Sequence, residues 1–459
     1  MGTGSKQRQG ADPLAFPAPT ERAIVIGAGI AGLTAAFRLR QRGFSVTVLE
    51  AEPEIGGRMS SVVQDGFTMN RAANILPASY GTIRQLAEDV GLGDQIGRMD
   101  GTIGTLRDGK VHRLRSDRLV RDGLRTTLLP WRSKMRMGRV LVDALRMRSS
   151  LSYANLGEAA RFDTETAAAY CRRRLDTELE QYLVAPVLRA LYTADVERLS
   201  VVDFFFAAVN FIGSGFMQYP GGIDFLAQAL AKHVEVRTSA RATSVERDDA
   251  GVLVTWEEDG QSQSERCSAC VIAVVGTLVP DLYPQLDARQ REILLGVYEY
   301  GTTFNAHFGL RSRPDEPSLL VQVPQSEDDG LCVVTFDHNS SPTVAPAGKG
   351  KLSSYWLHRW CEERIGWSDE ELLMAMVPSV AKVAPGFESL VETTRIDRWR
   401  PAVLMSKVGT YTAMAEFARR IDTTSRVQLA GDYLSASSTN GCALSGELAA
   451  KRIAATVLA

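Results

Sequence analysis

The sequence predicts an α/β fold in which a domain built on a parallel sheet is interleaved with a second, α+β domain. Three observations predict it: a strand, glycine turn and helix pattern near residue 27, a strand, loop and helix pattern over 426–459, and two long insertions of contrasting character between them. Residues 23–26 (AIVI) are an apolar run fit for a buried strand, and Gly27, Gly29 and Gly32 follow as the GxGxxG turn of a Rossmann-like domain. Gly27 permits the tight turn, Gly29 leaves no side chain between backbone and pyrophosphate, and Gly32 lets the helix pack on the strand. The helix opening at Ile30 and Ala31 turns unpaired N–H groups and about half a positive charge toward a diphosphate. A second strand over 45–49 ends at Glu50, 18 residues after Gly32. Here Glu50 and Ala51 meet the adenosine ribose, whose two hydroxyls the carboxylate can accept.

Gly56, Gly57 and Arg58 come next, and an NAD domain has no use for a flexible glycine pair and a guanidinium at that place. The other reading of 56–58 is a surface turn with a solvated arginine. The far end of the chain favours the first. Apolar residues precede Gly431, a carboxylate stands at Asp432, and an Ala-rich helical pattern follows Asn440. Asp432 is placed for a ribityl or pyrophosphate group, and a helix N-terminus at Thr439, Asn440 and Cys442 for the pyrimidine edge of a flavin, which is anionic when reduced. The small residues Gly441, Ala443, Ser445 and Gly446 suit close approach to the ring or, equally, a tightly packed core helix. The cofactor expected is FAD, held noncovalently, because no cysteine or histidine is positioned by these motifs to bond the ring. No metal site is expected: Cys267 and Cys270, the one close cysteine pair, open a strand and have no second pair or His cluster with them.

These motifs resemble the flavin-containing amine oxidase superfamily, most closely its branch of protoporphyrinogen oxidase, phytoene desaturase and hydroxysqualene dehydroxylase. Besides the two termini, the resemblance rests on VAPVLRALYTADVERLS at 184–200 and YPGGIDFLAQALAKHVEVRTSARATSVE at 219–246. It implies an adenine contact through the backbone of Val245 and flavin contacts around Ala73, Asn74 and Ile75. Two departures bear on chemistry. With Gly301 paired to the family glycine, Asn305 stands where amine oxidases place a lysine water-linked to flavin N5. Ser438 stands where they carry a tyrosine of the amine-binding cage, and Asn70 and Ala72 replace an acid and a glycine after the GGR strand. Loss of lysine and tyrosine moves the expected reaction toward dehydrogenation of a carbon–carbon bond, with hydride passing to flavin N5 and O2 as electron acceptor. Apolar, cyclic substrates such as a cyclic ketone, a porphyrinogen or an isoprenoid suit that chemistry. The alternatives are an amine oxidase with an atypical pocket and, from another class, a flavin-bound scaffold or isomerase without net redox turnover.

At 459 residues the chain suits two domains. A hydrophobic share of 45% and a charged share of 23% are ordinary for a globular protein, and a net charge of −2 gives no reason to expect nucleic acid. Residues 1–19 read as a disordered tail without a signal peptide's apolar stretch, and six scattered cysteines then imply reduced thiols in the cytoplasm. The FAD domain is expected over 20–75, 215–290 and 395–459, and the substrate domain over 76–214 and 291–394. The first insertion reads as mostly helical, the second as an antiparallel sheet of GTTFNAHFGL, SLLVQVP, LCVVTFDH and KLSSYWLH.

Within GTTFNAHFGL, alternation puts Thr303, Asn305 and His307 on one face. If that face looks at the flavin, Asn305 positions substrate or water and His307 serves as acid or base; otherwise His307 is a hydrogen-bonded structural histidine. Phe204, Phe205, Phe206, Phe211 and Phe216 read as core, with an apolar pocket wall as the second reading. Residues 113–148 carry recurrent arginines among Leu, Val and Met. That pattern fits a peripheral helix on an anionic membrane, a solvated helical face, or a source of arginine for a substrate carboxylate. No uninterrupted run of about 18 apolar residues occurs, so no transmembrane helix is expected.

Overall fold

The computed structural model describes residues 16–458. Of the stretch read as a tail, residues 1–15 lie outside the described residues, while Phe16 packs edge-on against Phe37.

A five-stranded parallel sheet runs in the order Val427–Leu429, Ala269–Ile272, Glu21–Ile26, Phe44–Leu49, Glu235–Arg237. Side chains alternate across a strand, and the central strand sends Ala23 and Val25 into one core and Ile24 and Ile26 into another. Helices Ile30–Gln41 and Thr439–Val457 cover the first face. They lie so close that a Cβ on Gly446 would stand 2.1 Å from the Ala31 carbonyl oxygen, which explains a glycine in the middle of a helix. An antiparallel sheet of Ala240–Asp248, Gly251–Glu258 and Gln261–Cys267 adds Val245, Val254 and Trp256 to the other core.

The second layer is a seven-stranded sheet ordered Val391–Trp399, Thr303–Leu310, Gly350–Trp356, Leu331–Phe336, Leu320–Gln322, Thr102–Arg107, Lys110–Arg115. Its last two strands fall within 76–214, a stretch that is otherwise mostly helical, as read from the sequence. They form a hairpin around Asp108-Gly109, both at positive φ (51° and 69°), which is the two-residue Asp-Gly turn that right-twisted strands favour. Strand Val391–Trp399 runs across the boundary drawn at 395 and pairs with Thr303–Leu310. Helix Gly81–Asp89 sits with the nucleotide layer, because Asn440 Oδ1 accepts the Thr82 and Ile83 N–H groups at its start. Helices Trp131–Met147, Ala185–Tyr192 and Val201–Asn210 form a helical lobe beside the sheet.

Candidate functional site

Three glycines in one loop perform three tasks. Gly27 leaves its strand at φ +101°, and a Cβ there would meet the Ala273 carbonyl oxygen at 2.7 Å. A Cβ on Gly32 would stand 1.9 Å from the Gly27 carbonyl oxygen, so helix and loop cannot separate enough for any side chain. Gly29 differs: nothing lies within 4 Å of the place its Cβ would take, so it faces open space rather than packing. The Glu50 carboxylate accepts from the Ala28 N–H at 2.6 Å and from the Glu52 N–H at 2.9 Å, tying the second strand to the glycine loop.

Arg58 joins regions remote in sequence. Its Nη1 donates to the Ala402 carbonyl at 2.6 Å and to Asp432 Oδ2 at 2.7 Å, and Tyr300 donates to Asp432 Oδ1 at 2.8 Å. Burial alone would lower the Arg58 pKa, but the charge and hydrogen bond of Asp432, with Cys442 and Tyr300, together outweigh it and raise the pKa above its ordinary value. Ser438 is the N-cap of the C-terminal helix, accepting the Gly441 N–H at 3.0 Å. Cys442, one turn in, has its thiol pushed up to about 12 by burial, so it is no thiolate at neutral pH.

These groups border a single cavity of about 1430 Å³. Gly27, Gly29, Ile30, Ala31, Glu50, Ala51, Gly57, Arg58, Ala73, Asn74, Ile75, Gly431, Asp432, Thr439, Cys442 and Asn305 all line it. Single small-molecule pockets run to roughly 300–1,000 Å³, so this one accommodates a dinucleotide and a substrate together.

Four residues named from the sequence stand outside that lining. Gly32 is a packing glycine. Val245 is buried and paired with Val254, beyond a bulge at Ala242/Ser244; the lining part of its strand is Ala240 to Thr243. Asn440 is used as a cap for helix Gly81–Asp89. His307 requires correction as an acid or base: it is fully buried, its Nδ1 lies 2.9 Å from Ser353 Oγ and its Nε2 3.5 Å from Asp397 Oδ2. Burial lowers its pKa, and it is a structural histidine in a polar core that also holds the buried Lys351–Asp337 ion pair.

Other lining residues were not singled out from the sequence: Tyr80, Tyr192, Tyr355, Ser60 and the Arg400 to Val403 loop. Phe204, Phe211 and Phe216 line the cavity, whereas Phe205 and Phe206 are core, so both readings of the phenylalanine cluster hold in part. Leu119, Met137, Val140, Leu141 and Ala144 line it from within 113–148, but no arginine of that stretch does; the lining arginines are Arg58, Arg71, Arg241, Arg398 and Arg400. The substrate-carboxylate reading of 113–148 is thereby corrected.

FAD fits this lining. Gly29 leaves room for a diphosphate against the helix N-terminus. Five atoms of lining residues, Ser60 Oγ, Thr193 Oγ1, Asn305 Oδ1, Tyr355 Oη and Thr439 Oγ1, are buried without a hydrogen-bond partner in the protein, as atoms meant for a polar ligand are.

Residues 30–454 match the family described as flavin containing amine oxidoreductase. A mitochondrial protoporphyrinogen oxidase from Nicotiana tabacum is 30% identical over 183 residues, which is 39% of this chain and 34% of that protein. Polyamine oxidase 4 from Oryza sativa subsp. japonica is 30% identical over 393 residues, 82% of this chain and 75% of that protein. The solved structure of cyclohexylamine oxidase from Brevibacterium oxydans IH-35A superposes with a TM-score of 0.76 at 18% identity, covering 96% of this chain and 100% of that one. At that identity the likeness speaks for the fold.

Proposed function

The chain belongs to the flavin containing amine oxidoreductase family and is an FAD-dependent oxidoreductase, and we propose that it removes two hydrogens from adjacent carbons of an apolar, cyclic substrate. The observation that carries this reading is the lining itself. No lysine borders the cavity among the described residues; Asn305, at the position read as the lysine's, donates its amide to the Arg71 carbonyl at 2.8 Å. Ser438, at the position read as the cage tyrosine's, is engaged as a helix cap. The lining carboxylates are Glu50, Glu52, Glu54, Asp281 and Asp432; the three glutamates follow the second strand, Asp432 pairs with Arg58, and Asp281 sits on the short helix Val279–Leu282 packed on strand Ala240–Asp248, so neither the helical lobe nor the seven-stranded sheet offers an anion for a substrate ammonium. The helical lobe contributes Leu, Val, Met and Phe instead.

FAD, when bound, supplies the two-electron acceptor. Gly27, Gly29, Ile30, Ala31, Glu50 and Ala51 would hold its adenosine diphosphate half. Arg58 and Asp432 would brace the centre, and Asn74, Ile75, Thr439 and Cys442 would border the ring. The 19-residue helix Thr439–Val457 points about half a positive charge from its N-terminus toward the pyrimidine edge, favouring negative charge there. O2 is the proposed electron acceptor. The helix Trp131–Met147 is the proposed point of contact with an anionic membrane.

The second reading, an amine oxidase with an atypical pocket, is favoured by the likeness to Polyamine oxidase 4 over 82% of the chain. An anaerobic panel separates the two. Cyclohexanone, a porphyrinogen, phytoene, benzylamine and spermine are each mixed with the FAD-loaded enzyme, and loss of the flavin's visible absorbance is followed. We expect the ketone, porphyrinogen or isoprenoid to bleach it fast and amines slowly. Rapid bleaching by an amine, with carbonyl product formed, overturns the first reading.

A further inference from the structure

We propose that Tyr192 and Asp203 are the proton-accepting pair of this site: Tyr192 Oη takes the proton from the carbon beside the one oxidised, while Asp203 takes Tyr192's own. This rests on the carbon–carbon dehydrogenation reading above. The bookkeeping closes as follows: one C–H bond breaks and an O–H bond forms on Tyr192, whose original proton moves to Asp203. The second hydrogen leaves with its electron pair to FAD, and a C=C bond remains.

Tyr192 ends helix Ala185–Tyr192 and lines the cavity. It shares that cavity with Tyr80, whose hydroxyl lies beside Ser438 and Thr439 at the N-terminus of the C-terminal helix. The shared lining puts Tyr192 in the same cavity as the helix N-terminus that would border the flavin ring. Behind it, on helix Val201–Asn210, Asp203 is fully buried. Its Oδ1 accepts from the Tyr411 hydroxyl, its Oδ2 has no hydrogen-bond partner, and the Tyr192 hydroxyl lies beside the same carboxyl. A buried carboxyl with one oxygen unbonded costs stability.

The groups facing this carboxyl are few. Tyr411 also donates to Ser406 Oγ at 3.1 Å, and Asp163 adds a second acid nearby, its own oxygens accepting from Ser200 and from the Gly409 and Tyr411 N–H groups. Tyr80 and Tyr153, packed edge to face with each other, are the further titratable groups that act on Tyr192. Burial pushes the Asp203 carboxyl up to about 8, against the pull of the tyrosine hydroxyls and with a further push from Asp163. It is therefore poised to accept a proton slightly above neutral pH.

The test uses FAD-loaded wild type, Asp203→Asn, Tyr192→Phe and Tyr411→Phe. Cyclohexanone or a porphyrinogen, whichever bleaches the wild type, is mixed anaerobically across pH 6–10. We expect the wild-type rate to rise through an inflection near 8. Asp203→Asn should be slower by about 100-fold or more, with that inflection gone, and Tyr192→Phe slower by about as much. Tyr411→Phe, which removes a donor from the carboxylate, should move the inflection upward. A second readout needs no substrate. Asp203 stays protonated when folded up to about 8 but ionises near 3.8 when unfolded, so wild-type stability falls with pH across that window. The unfolding temperature of Asp203→Asn should therefore gain on that of wild type as pH rises through the window, then hold level. Wild-type rates and pH profiles in Asp203→Asn and Tyr192→Phe, or a temperature offset independent of pH, overturn the pair. Where neither compound bleaches the wild type, phytoene takes their place; a wild type bleached by none of the three sinks the functional reading instead, and the unfolding series still decides whether Asp203 titrates as the pair requires.

Discussion

Arg58 holds Asp432 and the Ala402 carbonyl with one guanidinium nitrogen, while Glu50 divides its carboxylate between two backbone N–H groups of the nucleotide loops. Both side chains shape the cavity wall and, in the proposed function, would hold the ligand. A hydrogen bond to a charged group is worth roughly 1.5–3 kcal/mol, so Arg58→Ala and Glu50→Ala should each weaken FAD binding by about one to two orders of magnitude. Titration of apoprotein with FAD, followed by quenching of flavin fluorescence, measures this. Unchanged occupancy at limiting FAD in both variants shows that the seat lies elsewhere. Residue identity was legible here because each role is local: an acid closing a strand, an arginine after two glycines. His307 was less so, since alternation along Thr303–Leu310 tells which face a side chain takes but not how far along the strand the cavity extends.

The strand, turn and helix unit at Glu21–Gln41 allows a sharper comparison, because two of its glycines differ only in what surrounds them. Gly32→Ala drives a methyl group into the Gly27 carbonyl oxygen at 1.9 Å and should lower the unfolding temperature markedly. Gly29→Ala meets nothing within 4 Å, so the protein should fold with near wild-type stability yet retain less FAD. Calorimetry and flavin content of the purified variants check both halves; equal destabilisation by the two would refute the distinction. Elements whose signal lies within themselves were legible, as this unit was. The hairpin Thr102–Arg115 carried an Asp-Gly turn that was readable but was masked by the helical periodicity on either side of it. Val245 and Asn440 fell off the cavity wall because a shift of one to a few residues in a strand or helix start exchanges lining for packing. The neighbourhood of Tyr192 and Asp203 had no sequence signal, being made by helices that meet only in the folded lobe.

Across the whole molecule, the helix Trp131–Met147 presents two faces. Met137, Val140, Leu141 and Ala144 border the cavity, while Trp131, Met135 and Leu145 are 63%, 65% and 61% exposed amid arginines. No helix among the described residues is long and apolar enough to cross a membrane; the contact proposed for this helix is peripheral. We expect the protein to co-sediment with phosphatidylserine vesicles at low salt, less at high salt, and less again after Trp131→Ser with Leu145→Ser; equal recovery with neutral and anionic vesicles would contradict it. The sheet order has a different consequence. Strand Val427–Leu429 pairs with Ala269–Ile272, and Arg58 reaches Asp432 across 374 positions, so the cavity borrows walls from both extremes of the chain. During translation the glycine loop emerges early but faces an unfinished wall until the segment around Thr439 leaves the ribosome. A nascent chain stalled before that point would lack one wall of the proposed flavin seat, so cofactor capture would report that synthesis has passed this segment.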